Sequence, residues 1–406
     1  MTTMLQVFAV LLLVACVPIA VAVVVLGVQV IAASVARPAS KSRVPGLADS
    51  AAEQIPRPRL AVLTPAHDEA DGIGAMLEAL APQMRAGDRM LVVADNCTDD
   101  TASIARALGA TVVKRASATL RGKSFALAFG VDAMRADPPE VVVVVDADCR
   151  LRPGSLDALA HGVTRHGRPQ QALDLMLAPP DAGLAQRLAE FAWRVRNWVR
   201  PEGAHHLGLP CQLMGTGMAF TWDMIVDAPL ANGSLAEDMK LGIDFALRGQ
   251  PPMFCDLALV ISAFPDSAAA TRSQRTRWEH GHLETIFREM PPIVWSALRR
   301  RDARLLGMAL DLCVPPLALL ATLLLGLDVA SIVLWTIGSP AWLPGVPLAL
   351  TLAFIATATL AWTLRGRDLV RFRELMSIPL YILTKLPIYA RFLFRRQKQW
   401  VRTERK

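Results

Sequence analysis

The first 36 residues contain no Asp, Glu, Lys, Arg or His. That run is longer than the apolar core of a secretory signal, about 7–15 residues, and lacks its basic start. It therefore predicts a retained transmembrane helix within residues 1–36. Arg37, Lys41, Arg43, Arg57 and Arg59 follow closely, which places that side in the cytoplasm. Residues 37–58, rich in Ala, Ser and Pro, read as a linker. From residue 59 the pattern changes to short β-branched runs alternating with helical periodicity. Strands are expected at 60–65 (LAVLTP), 90–95 (MLVVAD), 111–114 (TVVK) and 141–146 (VVVVVD). Helices are expected between them at 73–84, 99–108 and 123–134. Near-continuous apolar strands separated by helices imply a parallel sheet covered on both faces, in an α/β, doubly wound, Rossmann-like domain. Ligands of such sheets bind beyond the carboxyl ends of the strands.

Residues 170–290 continue this domain with an amphipathic helix at 184–199 and further strand-like runs. A C-terminal membrane region is expected over 291–406. Its first apolar stretch, 312–337, contains Pro315, Pro316 and Asp328, and its second runs over 346–364. Asp328 is read as the outer end of a shortened helix, with a functional intramembrane acid as the alternative. Arg299 to Arg301 before these spans, and Arg365, Arg367, Arg371 and Arg373 after them, keep basic residues inside. Residues 375–389, broken by Pro379, Lys385 and Pro387, read as interfacial, followed by a basic cytoplasmic tail.

Composition supports this picture: of 406 residues 53% are hydrophobic and only 19% charged, too apolar for an ordinary soluble chain. The net charge of +7 lies beside the apolar spans. No basic, aromatic-interleaved motif accompanies it, so nucleic acid is not the expected partner. Six cysteines without a CxxC pair argue against a zinc site or a disulfide framework.

Candidate chemistry sits after each strand. In an extended chain i and i+2 share a face, so Asp146 and Asp148 of VVVVVDAD can present two carboxylates to Mg2+ or Mn2+; the alternative is a chance turn. Asp95 in VVADNCTDDT suits a nucleotide contact, or the segment simply forms a turn and cap. Pro65, Ala66 and Glu69 of PAHDE follow the first strand and can line a nucleotide pocket, with His67 a solvated loop residue. Lys123 opens a helix where it either reaches a phosphate or is merely solvated. Ser234 to Glu237 reads as a capping box, which leaves Asp238 in the first turn, available as a general base. On a helix, Gln274, Arg277 and Trp278 share one face, where a guanidinium suits a diphosphate and an indole a sugar ring; a core-packed Trp is the alternative.

In order, PAHDE, Asp95, GK, DxD, GTG, ED and QxxRW resemble the family 2 glycosyltransferases of GT-A fold, which implies a Rossmann-like, doubly wound mixed sheet, and particularly the cellulose, chitin and hyaluronan synthase-like membrane branch. The resemblance covers roughly residues 60–289. It implies Asp95 and Asp146 on the nucleoside, Asp148 on the metal, and Lys123 on the diphosphate. Gly215, Thr216, Gly217 and Trp278 would line the acceptor site, Asp238 would be the base, and Gln274 and Arg277 would hold the leaving group. AHDE stands where AHNE or AYNE is commoner, and DNCTD where many members have DDGSD. The implied activity is inverting, metal-dependent transfer from a nucleotide-diphosphate sugar, expected to be a UDP-sugar, to a lipid-linked or glycan acceptor. It would serve cell-surface polysaccharide synthesis at the cytoplasmic membrane, in contact with lipid and with other assembly subunits. A processive synthase and a non-catalytic donor-binding subunit are the competing readings.

Overall fold

The computed structural model describes residues 2–35, 56–234, 236–264 and 268–378. Helix α1 is Thr2–Val35. The α/β portion then runs β1 (Leu60–Ala66), α2 (Ala70–Leu80), β2 (Arg89–Asp95), α3 (Thr101–Ala107), β3 (Thr111–Arg115), α4 (Lys123–Ala133) and β4 (Val141–Val144). It continues with β5 (Arg150–Leu151), α5 (Ser155–His166), β6 (Gln170–Leu177), α6 (Leu184–Arg194), α7 (Arg200–His206), β7 (Met218–Thr221), α8 (Trp222–Ile225), α9 (Glu237–Leu247) and β8 (Met253–Ala263). A 33-residue helix, α10 (Ala268–Arg300), leads to α11 (Ala303–Leu312), α12 (Leu317–Thr336) and α13 (Gly345–Arg365).

The eight strands form one sheet in the order β3-β2-β1-β4-β7-β6-β8-β5. Its first half is parallel, as the βαβ pattern demands, with Leu60 beside Val141 and Val62 beside Met90. The second half makes the sheet mixed, as the GT-A resemblance implies: β7 runs antiparallel to both β4 and β6. Met218 lies beside Val144, so the chain entering β7 arrives at the carboxyl end of β4. This reversal brings the GTG segment beside the DxD segment. Leu60, Leu63 and Val141 to Val145 are buried from both faces, consistent with the unbroken apolar runs.

Among the described residues three helices, α1, α12 and α13, are long and apolar enough to cross a membrane. Val17 and Val24 on α1, Val329 on α12, and Leu352 and Ile355 on α13 are exposed, as lipid-facing side chains would be. Pro315 and Pro316 split the 312–337 stretch, because proline cannot continue the helix of α11. Asp328 lies inside α12 and not at its end; Thr351 of α13 donates a 2.7 Å hydrogen bond to its Oδ2, while its buried Oδ1 has no hydrogen-bond partner among the described residues. The boundary expected at 290/291 falls within α10. Residues 36–55 of the linker and 379–406, with most of the interfacial segment and the basic tail, lie outside the described residues.

At ~1.5 Å per residue, the 34 residues of α1 reach past a hydrocarbon layer of ~30 Å. Its last turns dock on α7, where a Cβ added at Gly203 would stand 1.9 Å from the Gln29 carbonyl oxygen. Only glycine permits this approach. A buried polar cluster locks the junction. Arg200 donates to Asp311 Oδ1 at 2.7 Å and to Gln29 at 3.0 Å, while Gln29 and Gln212 also donate to Asp311 at 2.7 and 3.2 Å. Burial opposes ionisation of Asp311, but Arg200 and the two amides outweigh it and hold its carboxyl below the usual range.

Candidate active site

The crevice begins where β4 ends. The Val145 amide still bonds Leu63, then the chain turns through Asp146, whose amide donates to the Thr216 hydroxyl at 3.2 Å. Thr216 is buried, so its side chain supports Asp146 from beneath. Gly217 donates its amide to Val144 and accepts from Ala172, fixing the GTG segment into the sheet. Lys123, first residue of α4, reaches across to Asp146 Oδ1 at 2.5 Å and to the Gly215 carbonyl at 2.9 Å. Gly215 has φ +91°, and a Cβ there would lie 3.3 Å from both Asp238 Oδ2 and Lys123 Nζ. Ammonium, DxD carboxylate and the carboxylate of α9 thus converge on one glycine. Beside them, a Cβ at Gly72 would meet Glu69 Oε2 at 3.7 Å and the Asp148 Cα at 3.8 Å, so PAHDE and DxD also adjoin.

Electrostatics follow from this crowding. Burial alone would lower the Lys123 ammonium, but the charges of Asp146, Glu237 and Asp238 raise it above its ordinary value, so it stays cationic. Burial, with Asp238 adding to it, pushes Glu237 up to about 7. Burial also raises Asp238, against the pull of Lys123 and Arg196. The two acids titrate as a pair.

Ligand atoms of Asp146, Asp148 and Cys149 lie within 4.8 Å of one another. Burial, together with the neighbouring Asp148 and Asp146 charges, keeps the Cys149 thiol protonated, which leaves two carboxylates as ligands. That oxygen set suits Mg2+ or Mn2+. A second grouping, Asp68, Cys97 and Asp99, differs. Its carboxylates already accept from Thr98, Ala70 and Thr101 and brace the loops after β1 and β2.

Pro65 and Ala66 end β1, and Asp95 ends β2, as expected. Asp95 is buried and paired with Arg115 at 2.6 Å, and its carbonyl bonds His67 at 2.7 Å, so His67 is not simply solvated. The QxxRW residues lie on α10. Gln274 is buried, and Trp278 packs against Trp193 with ring planes tilted by 46° and centroids 4.9 Å apart, among Met176, Ala189 and Phe264. Trp193 in turn donates to the Asp174 carbonyl at 3.1 Å, so this motif joins the site through a packed aromatic pair. The capping box does not form. Ser234 accepts from the Ala236 amide in a tight turn, and α9 starts at Glu237 with Ala236 as its cap. Local side-chain bonding before the helix outcompeted the box, and Glu237 became a second acid of the site.

Sequence reasoning missed Asp174, Asn197, Arg196 and His282. Asp174 on β6 is buried; burial first, then the Asp146 charge, pushes it up to about 8. Asn197 donates to it at 3.0 Å from a π-helical segment, Val195–Val199, between α6 and α7. An acid inside the apolar run QALDLML was the available signal. Burial, reinforced by Arg196 and Arg200, pushes His282 down to about 3 and keeps it neutral.

The chain is similar over 97% of its length, and over 100% of the other chain, to the mannosyltransferase PcManGT from Pyrobaculum calidifontis in complex with GDP-Man and Mn2+. The identity is 17% and the TM-score 0.54. A glucosyl-3-phosphoglycerate synthase from Mycobacterium tuberculosis, in complex with Mn2+, UDP and phosphoglyceric acid, is similar over 55% of this chain and 78% of its own. There the identity is 21%, with a low TM-score of 0.37. No curated protein matches the sequence. The shared architecture is the GT-A fold. The sequence model described as "Glycosyltransferase like family 2" matches residues 56–281. That match spans more than half of the chain, which belongs to glycosyltransferase-like family 2.

Proposed function

We propose that this chain is a membrane-anchored inverting glycosyltransferase. It moves a sugar from a nucleotide-diphosphate donor, a UDP-sugar in our reading, to a lipid-linked or glycan acceptor in cell-surface polysaccharide synthesis. Residues 1–36 form the anchor, 37–58 the linker, 59–290 the cytoplasmic catalytic domain and 291–406 the rest of the inner-membrane region. The observation that carries this reading is the meeting of Lys123, Asp146 and Asp238 around Gly215.

In this mechanism Asp238 takes the proton from an acceptor hydroxyl, whose oxygen attacks the anomeric carbon. The bond from that carbon to the nucleoside diphosphate breaks on the opposite face, inverting configuration. When bound at Asp146 and Asp148, Mg2+ or Mn2+ would neutralise charge growing on the departing diphosphate. Lys123 adds a fixed positive charge there, and Gln274 and Arg277 on α10 hold the leaving group. Pro65, Ala66, Glu69 and Asp95 line the nucleoside side, and Gly215, Gly217 and Trp278 the acceptor side, with Thr216 holding Asp146. Removing one such preorganised donor typically costs about 3–4 kcal/mol of transition-state stabilisation.

PcManGT binds GDP-Man with Mn2+, which supports a metal and adds GDP-mannose to the donors worth testing. A panel of UDP- and GDP-sugars with either cation should show nucleoside diphosphate release with one of them. Silence with every donor would leave the non-catalytic reading standing. The branch resemblance raises a processive synthase as the second reading. Three candidate spans among the described residues are few for a glycan channel, and a ladder of long products on a gel would favour it.

A further inference from the structure

Cys149 follows the DxD motif directly and has no part in the mechanism above. It is only 3% exposed, yet its sulfur lies together with a carboxylate oxygen from each of Asp146 and Asp148, all within 4.8 Å of one another. Its thiol donates to Asp148 Oδ1 at 3.4 Å. That separation is close to the edge of a zinc tetrahedron, about 3.5 Å for bonds of ~2.3 Å to sulfur and ~2.0 Å to oxygen. Three ligand atoms are therefore already gathered. A catalytic zinc takes that number from its protein and keeps the fourth position open.

Asp174 on β6 adds a reason for a cation here. It is 2% exposed, and its Oδ1 has no hydrogen-bond partner among the described residues. Beyond burial, the charges of Asp148, Asp146 and Asp174 all bear on the Cys149 thiol. Three acids and a thiol in so small a volume repel one another once ionised, and a divalent cation relieves that repulsion.

The sulfur sorts cations by softness. Mg2+ and Mn2+ take oxygen ligands and leave a thiol alone, whereas zinc takes thiolate readily. We propose that Asp146, Asp148 and Cys149 form a Zn2+ site that competes with Mg2+ or Mn2+ and shuts the transferase off. As the zinc–sulfur bond forms, the thiol proton leaves to water, and no electron changes hands. Four-coordinate zinc then has one position open, while an octahedral cation on two carboxylates keeps several. A departing diphosphate presents more than one oxygen, so zinc serves it poorly. The site needs one cysteine and no CxxC pair. It rests on the metal assignment of the transferase reading and adds to it a cation that blocks turnover.

The test uses the full chain in lipid nanodiscs, stripped with chelator, comparing Cys149 with Cys149→Ser and Cys149→Ala. All three carry Cys97→Ser, because Asp68, Cys97 and Asp99 also bring three ligand atoms together. Co2+ stands in for zinc in absorption spectroscopy, where sulfur ligation gives a ligand-to-metal charge-transfer band that oxygen ligation lacks. The band is expected in the Cys149 protein alone, and excess Mn2+ should displace it. By calorimetry, Zn2+ affinity should fall about tenfold or more in both variants, while Mn2+ affinity stays nearly unchanged and reports that they are folded. Zn2+ should inhibit nucleoside diphosphate release in competition with Mn2+, and Cys149→Ser should resist it. A band that persists in Cys149→Ala, or equal Zn2+ affinity in the three proteins, would overturn the proposal. Co2+ bound without a sulfur band overturns it alone. Failure of Mn2+ and Co2+ alike to bind overturns it together with the metal assignment of the transferase reading, so the two failures are distinguishable.

Discussion

Substituting Gly215 by alanine perturbs the crevice at its narrowest point. Two costs follow from its geometry. At φ +91° an alanine carries about 1–2 kcal/mol of backbone strain. Its new methyl would also stand 3.3 Å from both Asp238 Oδ2 and Lys123 Nζ, inside the ~3.5–4.0 Å of comfortable contact, so each must retreat by a few tenths of an ångström. A misplacement of 1 Å can cost roughly 10²-fold in rate; small shifts of two groups together should cost about tenfold. Gly109 is the control, because its φ is +83° with nothing within 4 Å of the added carbon. Gly109→Ala carries comparable strain and touches no proposed site residue. Nucleoside diphosphate release and thermal unfolding would be measured for both. Similar loss of stability, with a tenfold loss of turnover in Gly215→Ala alone, is expected. Equal turnover in the two variants would refute the convergence of Lys123 and Asp238 on Gly215.

Three further outcomes are expected. Asp238 must be ionised to act as base, and both it and Glu237 are raised, the latter to about 7. Turnover should therefore fall on acidification between about pH 7 and the ordinary carboxylate range near 4. Glu237→Gln, by removing a like charge, should shift that limb down; a limb that rises or stays would count against the pairing. Asp174 keeps its proton in the folded state up to about pH 8 but loses it near 4 when unfolded. Stability in chelator should thus decline as pH rises between those values, and Asp174→Asn should flatten the decline in thermal melts. Asp311→Ala strands the buried Arg200 and should cost about 3–5 kcal/mol; a loss below about 1 kcal/mol in denaturant titration would show the α1 junction to be held by packing alone.

The parallel half of the sheet was readable because β1 to β4 are unbroken β-branched runs with helical segments between. The reversal at β7 was not, since MAFT is four residues long and its direction is set by which strand it meets. Lys123, Asp146 and Asp238 could be nominated from motif and position. The 92 residues between Lys123 and Gly215 hid the contact itself. Glu237 was misread because a hydroxyl three residues before a glutamate signals a cap, and the turn at Asn232 to Ser234 claimed that hydroxyl first. Arg196 left no trace in the sequence: one arginine among several on an amphipathic helix is distinguished only by its pull on Asp238.

The measurement closest to the central claim is calorimetric binding of the preferred nucleotide sugar with Mn2+, paired with turnover, in Asp238→Asn and Asp148→Ala. The crevice described here predicts that Asp238→Asn binds the donor nearly as the wild type does but releases no nucleoside diphosphate, whereas Asp148→Ala loses cation-dependent binding. Sustained turnover in Asp238→Asn, or unchanged donor affinity in Asp148→Ala, would contradict it.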